Sequence, residues 1–410
     1  MPDRTRATTE RIVAELEHAA PLTRRELATR LGLPVTTVTS AVERLLLDGT
    51  LREHTDEGGR TPSPGRPPRH LALAARQLVA VVVVGHRTLE AAVVTLDGVI
   101  ETRAARPFDP HGTDDVVAPG VALLREAIDG SGLDPDEIGG AVIALPRPYR
   151  AGAGSPWPAR PSVREPLAPF APPAWLATDP APALAEALGV PAIAENDANL
   201  AALGEIARGA ATGLDDVLYV DLVPGFGAGV VAGGELVHGR LGFAGELGHV
   251  QVDEHGPLCA CGNRGCLIRV ATVQHVFEQL RPTYPASLTF EDVVGLAEAE
   301  DPDVHRVLAD LGRTLAPILA TACLVLDPQA IVVDGALGAG SRAVVAGVRE
   351  RIERALPRRV FEELQLVPGT LADQAELVGA AALAARSRLL RAPRRGLAAE
   401  SRAAAWSVGT

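Results

Sequence analysis

The spacing of apolar positions along this chain changes near residue 70. Up to residue 50, apolar side chains recur every three or four positions, which is the period of an amphipathic helix. Three such stretches, the first around Ile12, predict three helices joined by short turns. The last, VTTVTSAVERLLLDG, is expected to direct four side chains toward a core: Val38, Val42, Leu45 and Leu46.

Local signals also mark the ends of the second predicted helix. Thr23 with Glu26 three residues later matches a capping box, and Gly32 is typical of a helix end. Two helices joined by a tight turn of this kind are typical of a helix-turn-helix. Two short extended runs around a Gly/Pro-rich tip then predict a β-wing. We therefore predict a winged helix-turn-helix domain over residues 1–70, bounded by the Pro/Gly/Arg linker 62–70.

The outer face of the third predicted helix is small, hydroxylated and basic. Arginine favours phosphates and guanine edges, and Thr and Ser hydroxyls contact bases or the backbone of DNA. The pattern favours DNA binding, and a small helical bundle without a ligand is the alternative. The side chains expected to contact DNA are Thr36, Thr37, Ser40 and Arg44 on the helix and Arg66 in the wing.

Beyond residue 70, short apolar runs of strand type alternate with helical patterns. LVAVVVVG reads as a buried strand, and the alternation predicts an α/β fold around a largely buried sheet. Two similar β-hairpin openings indicate a duplicated, two-lobed domain whose ligands lie in the cleft between lobes. We expect lobe 1 over 71–195, lobe 2 over 196–390 with C-terminal helices returning to lobe 1, and a disordered tail over 391–410. A Pro-rich loop near 150–175 is expected over the cleft mouth.

Composition adds limits to this organisation. A net charge of −12 argues against a surface coated by nucleic acid, but it is compatible with a small DNA-binding module. The N-terminus lacks an apolar signal region, and LVAVVVVG is too short to span a bilayer, so we expect a cytoplasmic protein with no membrane partner. Disulfides are rare in that compartment, so clustered cysteines point to a metal or to catalysis.

One histidine and three cysteines have the spacing of a metal site. His249, Cys259, Cys261 and Cys266 follow a His-x9-Cys-x-Cys-x4-Cys pattern. Three thiolates and an imidazole form a closed tetrahedral zinc set, so the predicted role of Zn²⁺ is structural. A catalytic thiol and chance crowding of reduced cysteines are the alternatives. Cys323 lies in an apolar helical stretch and is expected in the core.

The chain resembles the ROK family, which groups repressors, uncharacterised open reading frames and sugar kinases. The resemblance spans nearly all of residues 8–385 and rests on GELGH, CACGNRGC, ENDANLAALGE, IVVDGALG and ELVGAAALA behind a winged helix. It implies a two-lobed, actin-like ATPase fold after the winged helix-turn-helix. It also implies a zinc loop beside a sugar site, and homodimers or homotetramers among the regulators.

The resemblance further implies a sugar or effector site. Its expected residues are Asn196, Asp197, Glu246 and His249, with Asp197 at the position of the catalytic base of the kinases. A plain helix N-cap is the alternative for Asn196 and Asp197. Ile268 stands where the sugar binders carry a glutamate, and Pro146-Arg147 replaces a Pro-Gly pair. We expect the altered pocket to discriminate against simple hexoses.

The phosphate-binding features implied by the family are eroded. Val83 replaces the aspartate of the first motif, and His86 replaces its second glycine. The second turn, 223–227, keeps half of its pattern, and Asp334 replaces a glycine. We therefore expect no enzyme activity and only a vestigial base in Asp197. The predicted protein is a DNA-binding transcriptional regulator, a repressor of sugar-related genes. The alternatives are a regulator without an effector and an active sugar kinase.

Overall fold

The chain folds into two compact units, Met1–Gln77 and Leu78–Thr410. The computed structural model describes the following residues: 8–9, 11–12, 15–16, 22–47, 51–55, 69–73, 77–151, 175, 178–222, 225–259 and 261–387.

The first unit combines helices with a three-stranded antiparallel sheet. Residues 8–9, 11–12 and 15–16 are helical. The sheet has the order β1-β3-β2. The elements that follow along the chain are β1 (Leu22–Thr23), α1 (Arg24–Leu31), α2 (Val35–Leu47), β2 (Leu51–Thr55) and β3 (Arg69–Leu73).

The local signals of the first unit are confirmed. The Thr23 hydroxyl accepts the Glu26 amide at 3.3 Å, and the Glu26 carboxylate accepts the Thr23 amide at 2.7 Å, so the capping box forms. Gly32 ends α1 with φ 64°, a left-handed conformation that costs glycine little. The runs of the expected wing pair as β2 and β3. Residue 70 therefore lies within β3 rather than at a boundary; Arg66 and the wing tip lie outside the described residues.

The helical periodicity also identifies the core of the first unit correctly. Val38, Val42 and Leu45 of α2 are buried, and Leu46 is half-buried beside them. They pack with Ile12 and with apolar residues of α1 and both longer strands. Burial on one face leaves the opposite face of α2 exposed to solvent.

The second unit contains two five-stranded sheets. The first sheet has the order β6-β5-β4-β7-β8 and the second has the order β11-β10-β9-β12-β13. The first comprises β4 (Leu78–Val84), β5 (Thr88–Thr95), β6 (Ile100–Pro107), β7 (Ile138–Leu145) and β8 (Ala192–Asn196). The second comprises β9 (Val217–Asp221), β10 (Gly227–Ala232), β11 (Glu235–Leu236), β12 (Ala330–Val333) and β13 (Gln365–Pro368).

Helices connect and cover these strands. In chain order they are α3 (Val117–Asp129), α4 (Ala181–Leu188), α5 (Asp197–Arg208), α6 (Leu267–Val270), α7 (Val273–Leu280), α8 (Phe290–Glu298), α9 (Pro302–Leu326), α10 (Ala339–Ala355), α11 (Arg358–Glu363) and α12 (Ala375–Arg386).

The two sheets repeat one pairing pattern, as the paired hairpin openings predict. β4 lies antiparallel to β5 and parallel to β7, and β9 lies antiparallel to β10 and parallel to β12. The C-terminal helix α12 packs Leu377, Ala380 and Ala384 into the core of the first sheet. Its Gly379 approaches the backbone of α5 so closely that a Cβ atom would collide with the Leu200 carbonyl.

Helix α9 is long and apolar enough to cross a membrane by length and composition alone. Half of its most apolar window is buried, and Leu308, Leu315 and Leu319 lie in the core of the second sheet. A buried core helix of a soluble protein passes the same test. Cys323 is buried on the same helix, as expected.

Candidate functional site

The three cysteines and the histidine of the expected metal site come together. Their four ligand atoms all lie within 4.8 Å of one another. Cys259 Sγ is 3.6 Å from His249 Nδ1, and Cys261 Sγ is 3.5 Å from Cys266 Sγ. Ligands bound to zinc at about 2.0–2.3 Å in a tetrahedron are separated by roughly 3.3–3.8 Å. The donor set and its spacing therefore fit a divalent ion such as zinc.

Backbone geometry holds the cysteine loop in this shape. Bridges between Gln251 and Cys266 and between Leu258 and Arg264 fold the segment back on itself. Gly265 has φ 55° and packs so tightly on the Asp253 carbonyl that no side chain fits there. The turn therefore depends on glycine, and the glycine brings Cys266 beside the other sulfurs.

His249 joins the cysteine cluster to a carboxylate. Its Nδ1 faces Cys259, while its Nε2 lies 3.9 Å from Oε2 of Glu246. Burial lowers the pKa of His249, which favours the neutral imidazole that a metal ligand requires. One ring nitrogen is thus directed to the metal site and the other to the expected sugar site.

Asn196 and Asp197 stand at the N-terminus of α5. The Asn196 side chain accepts the Asn199 amide at 3.0 Å, so the N-cap alternative describes its geometry correctly. Its Nδ2 also donates to the Arg147 carbonyl at 3.1 Å and to Asp197 Oδ1 at 3.0 Å. A helix N-cap does not need these two bonds. They fix the position of the Asp197 side chain relative to Arg147, in the loop that follows β7.

Asp197 and Glu246 face each other from the two sheets. Desolvation raises the pKa of Asp197 to about 7, and desolvation together with the Asp197 charge raises the pKa of Glu246 to about 7. Asn196 and Asp197 follow β8 of the first sheet, whereas Glu246 and His249 follow β11 of the second. We refer to these four residues as the intersheet site. A pair of carboxyl groups and an amide can bind several hydroxyls of a sugar.

Two side chains, His86 and Ile268, lie at the turn where nucleotide phosphates would be expected to bind. His86 lies at the tip of the β4–β5 hairpin, and a Cβ atom on Gly225 would be 3.7 Å from its Nε2. The same atom would be 3.9 Å from Cδ1 of Ile268. His86 and Ile268 therefore converge on the turn that precedes β10. Two residues of that turn, 223 and 224, lie outside the described residues.

Further carboxyl groups gather near the same turn. Asp334 is buried, and desolvation raises its pKa to about 6 while Asp221 and the Tyr219 hydroxyl hydrogen-bond to it. Desolvation, then the charges of Asp197 and Asp334, raise the pKa of Glu376 to about 8. When ionised, such groups repel a triphosphate unless a cation neutralises them.

Three residues of this region escaped the sequence analysis: Glu195, His238 and Glu376. Glu195 is buried at the end of β8, and one of its carboxylate oxygens lies 2.7 Å from Nε2 of His238, which follows β11. The only local signal was the position of Glu195 immediately before Asn196. Glu376 was also missed because its neighbours in sequence are apolar helix residues.

The expected DNA-contacting side chains share one face of α2. Thr36, Thr37, Ser40 and Arg44 are all exposed, opposite the buried Val38 and Val42. Val35, at the start of the helix, is an exposed apolar side chain outside this face. Helix α2 thus presents hydroxyl, methyl and guanidinium groups to solvent.

One family model spans the repeated sheets, the cysteine loop and the intersheet site. The model, described as ROK family, matches residues 80–387. The chain belongs to the ROK family. A second model, described as winged helix-turn-helix DNA-binding, matches residues 5–52 and agrees with the fold of the first unit.

Members of the ROK family with different activities resemble this chain. The xylose repressor of Bacillus subtilis (strain 168) is 26% identical over 373 residues, which cover 90% of this chain and 92% of that one. A ROK family transcriptional regulator described as a homolog of the E. coli MLC protein has a TM-score of 0.62 at 24% identity and covers 94% of this chain and 96% of its own. A ROK family glucokinase from Streptomyces griseus, solved with glucose and AMPPNP, has a TM-score of 0.61 at 26% identity and covers 75% and 99%.

The desolvation of Glu376 predicts how stability should change with pH. A glutamate ordinarily titrates near 4.5, and Glu376 titrates near 8 in the folded chain, so the folded state holds this proton more tightly. The contribution of Glu376 to the free energy of unfolding therefore falls as pH rises from about 4.5 to about 8. Glu376→Gln should raise the melting temperature by ~2 °C or more at pH 9 and change it little at pH 5.

Thermal unfolding of both proteins across this pH range tests the point. Glu363→Gln is the matched control, because Glu363 is exposed on α11. Equal melting temperatures for Glu376→Gln and the unsubstituted protein at pH 9 would show that the Glu376 carboxyl is not desolvated.

Proposed function

We propose that this protein is a DNA-binding transcriptional repressor of sugar-related genes that binds a sugar-like effector at the intersheet site and has lost kinase activity. The observation that carries the proposal is a contrast within one site. Asn196, Asp197, Glu246 and His249 converge, whereas His86 extends to the turn where phosphates would lie. Such a site keeps groups for sugar hydroxyls and lacks space for ATP.

The first unit supports the DNA-binding part of the proposal. A winged helix-turn-helix places its second helix in the major groove, and the exposed face of α2 carries the groups that read bases and phosphates. The similarity to the xylose repressor extends over nine tenths of this chain. In this proposal Thr36, Thr37, Ser40, Arg44 and the wing residue Arg66 contact the operator.

The side chains near the second turn support the loss of kinase activity. A kinase holds Mg²⁺ and the transferred phosphoryl group in a cradle of glycine-rich turns. Here His86 and Ile268 converge on Gly225, so their side chains take up space where the turn would have to approach a phosphate. Asp197 could still act as a base, but a base without a bound nucleotide has no phosphoryl group to transfer.

Repression by such a protein requires coupling between effector and DNA. An effector changes DNA affinity only if it binds two conformations of the protein unequally. Movement of the lobes would change the spacing of paired winged helices in a homodimer or homotetramer. The second candidate function is a regulator that binds DNA independently of any sugar and keeps only a vestigial site. Ile268 favours it, because this residue stands where a hydrogen-bond acceptor for a sugar is expected.

The cysteine loop is proposed to bind one structural Zn²⁺ through His249, Cys259, Cys261 and Cys266. Zinc accepts these four ligands in a closed tetrahedron, which leaves no position for a substrate. When bound, the ion supplies folding free energy to the loop and fixes the ring of His249. A cytoplasmic location is consistent with free cysteines and a DNA target.

The decisive experiment combines operator binding with an assay for phosphoryl transfer. Footprinting on the neighbouring promoter, with D-xylose, D-glucose and N-acetylglucosamine in separate samples, should show operator protection that one sugar weakens about tenfold or more. ADP release with the same sugars should stay at background. Sugar-dependent ADP release would restore the kinase interpretation, and protection unaffected by every sugar would favour the vestigial site.

Arg44 should contribute directly to operator affinity. Arg44→Ala should weaken operator binding by roughly tenfold to hundredfold, because one lost guanine or phosphate contact costs about 1–3 kcal/mol. Arg358→Ala, which removes an exposed arginine from the second unit, is the matched control. Fluorescence anisotropy at several salt concentrations measures both variants. Unchanged affinity for Arg44→Ala would place the DNA surface elsewhere.

Removal of one cysteine should remove the metal. Elemental analysis should find about one zinc per chain, and Cys266→Ser should lower both the zinc content and the melting temperature of the second unit. Cys323→Ala is the control, since Cys323 is buried in α9, outside the ligand set. A folded, unsubstituted protein that contains no metal would contradict this assignment.

A further inference from the structure

A buried carboxylate joins the two halves of the intersheet site. Glu195 is 4% exposed and lies at the end of β8, on the edge of the first sheet. Its Oε2 is 2.7 Å from Nε2 of His238, which follows the edge strand β11 of the second sheet. Within the described residues this pair is thus a polar contact between segments that come from different sheets.

The other oxygen of Glu195 organises the start of α5. Oε1 accepts the Asn196 amide at 2.8 Å and the Asn199 side chain at 2.9 Å. Asn196 in turn bonds Asp197 and the Arg147 carbonyl. The position of both hydroxyl-binding residues on the first sheet therefore depends on one carboxylate.

His238 has a corresponding role on the second sheet. Its carbonyl accepts the Ala244 amide at 3.2 Å, which closes the turn that leads to Glu246. Gly245, with φ 89°, follows directly and packs against the Ala228 carbonyl. The His238 backbone thus sets the start of the segment that carries Glu246 and His249.

We propose that His238 and Glu195 form a positioning pair that holds the two walls of the intersheet site in register, and that effector affinity depends on this pair. The inference rests on the proposed effector function. Neither residue needs to touch the effector, since each acts through its neighbours. Sugar-binding sites built from two sheets require this registry because hydroxyl contacts are lost when donors and acceptors shift by about 1 Å.

The groups around His238 favour a protonated imidazole. The hydrogen bond to Glu195 raises the pKa of His238, whereas desolvation and the positive charge of Arg150 oppose this shift. Tyr149 also lies near Glu195, and burial raises the pKa of its hydroxyl well above the usual range, so Tyr149 remains a neutral neighbour. The raised pKa favours a protonated His238, and a protonated imidazole donates a stronger hydrogen bond than a neutral one.

The test uses four variants and three measurements. His238→Ala removes the contact, His238→Gln keeps a nitrogen donor, and Glu195→Gln keeps the acceptor for Asn196. His275→Ala is the matched control, because His275 is a similarly accessible histidine that faces a glutamate on a surface helix. Hydrogen exchange, sugar affinity by calorimetry, and zinc content with melting temperature are measured on the full chain.

The amides of 196–199 should exchange about tenfold faster in His238→Ala, although this substitution lies on the other sheet. Affinity for whichever of D-xylose, D-glucose or N-acetylglucosamine binds the unsubstituted protein should fall about tenfold, with zinc content unchanged. His238→Gln should recover most of the loss. The control should alter neither measurement.

Two outcomes would overturn the proposal. Unchanged exchange at 196–199 in His238→Ala would show that the pair does not couple the two walls. A lower melting temperature with unchanged sugar affinity would assign the pair a purely structural role. If none of the three sugars binds the unsubstituted protein, the proposed effector function fails for these sugars, while the exchange measurement still decides whether the pair positions the site.

Discussion

Burial of carboxyl groups is the constraint on which the region between the two sheets depends. Removing a carboxylate from water is unfavourable, and desolvation is the largest cause of the raised pKa at Asp197, Glu246, Asp334 and Glu376. A metal–nucleotide complex would offset such charge in a kinase. In this chain protons can do so, since Asp334 is hydrogen-bonded to Asp221 and a carboxyl pair of this kind shares a proton. The region therefore suits neutral hydroxyl groups better than phosphates.

The same constraint explains why the residues of the intersheet site are held by backbone groups and by the cysteine loop. Each polar group of Asn196 has a partner, and one of those partners is the carbonyl of Arg147. Arg147 itself is buried, stacks on Trp175 and donates to the Trp175 and Thr178 carbonyls. On the other side, His249 belongs to the cysteine loop. Polar groups held this firmly lose little entropy when a ligand binds.

Much of this arrangement follows from the sequence, and the rest depends on contacts that no local pattern encodes. The helical period located the core of the first unit, and the cysteine spacing located the cluster of one histidine and three cysteines, because both signals are local. Strand β6 was missed, since IETRAARP alternates with charged residues and becomes a strand by pairing with β5 at a sheet edge. The Glu195–His238 contact joins positions 43 residues apart, so only the tertiary structure reveals it.

If an effector moves the two sheets relative to each other, some contacts between them must break and others must persist. Helix α5 packs on both cores, with Leu200 in the first and Ala202 and Leu203 against the second sheet. Its glycine contact with α12 leaves no space for sliding, because backbones there touch directly. Polar contacts such as Glu195–His238 can exchange with water or with a hydroxyl at a smaller cost in free energy. Conformational change should therefore concentrate at the polar contacts between the sheets, where the proposed effector site lies, and leave the α5–α12 interface intact.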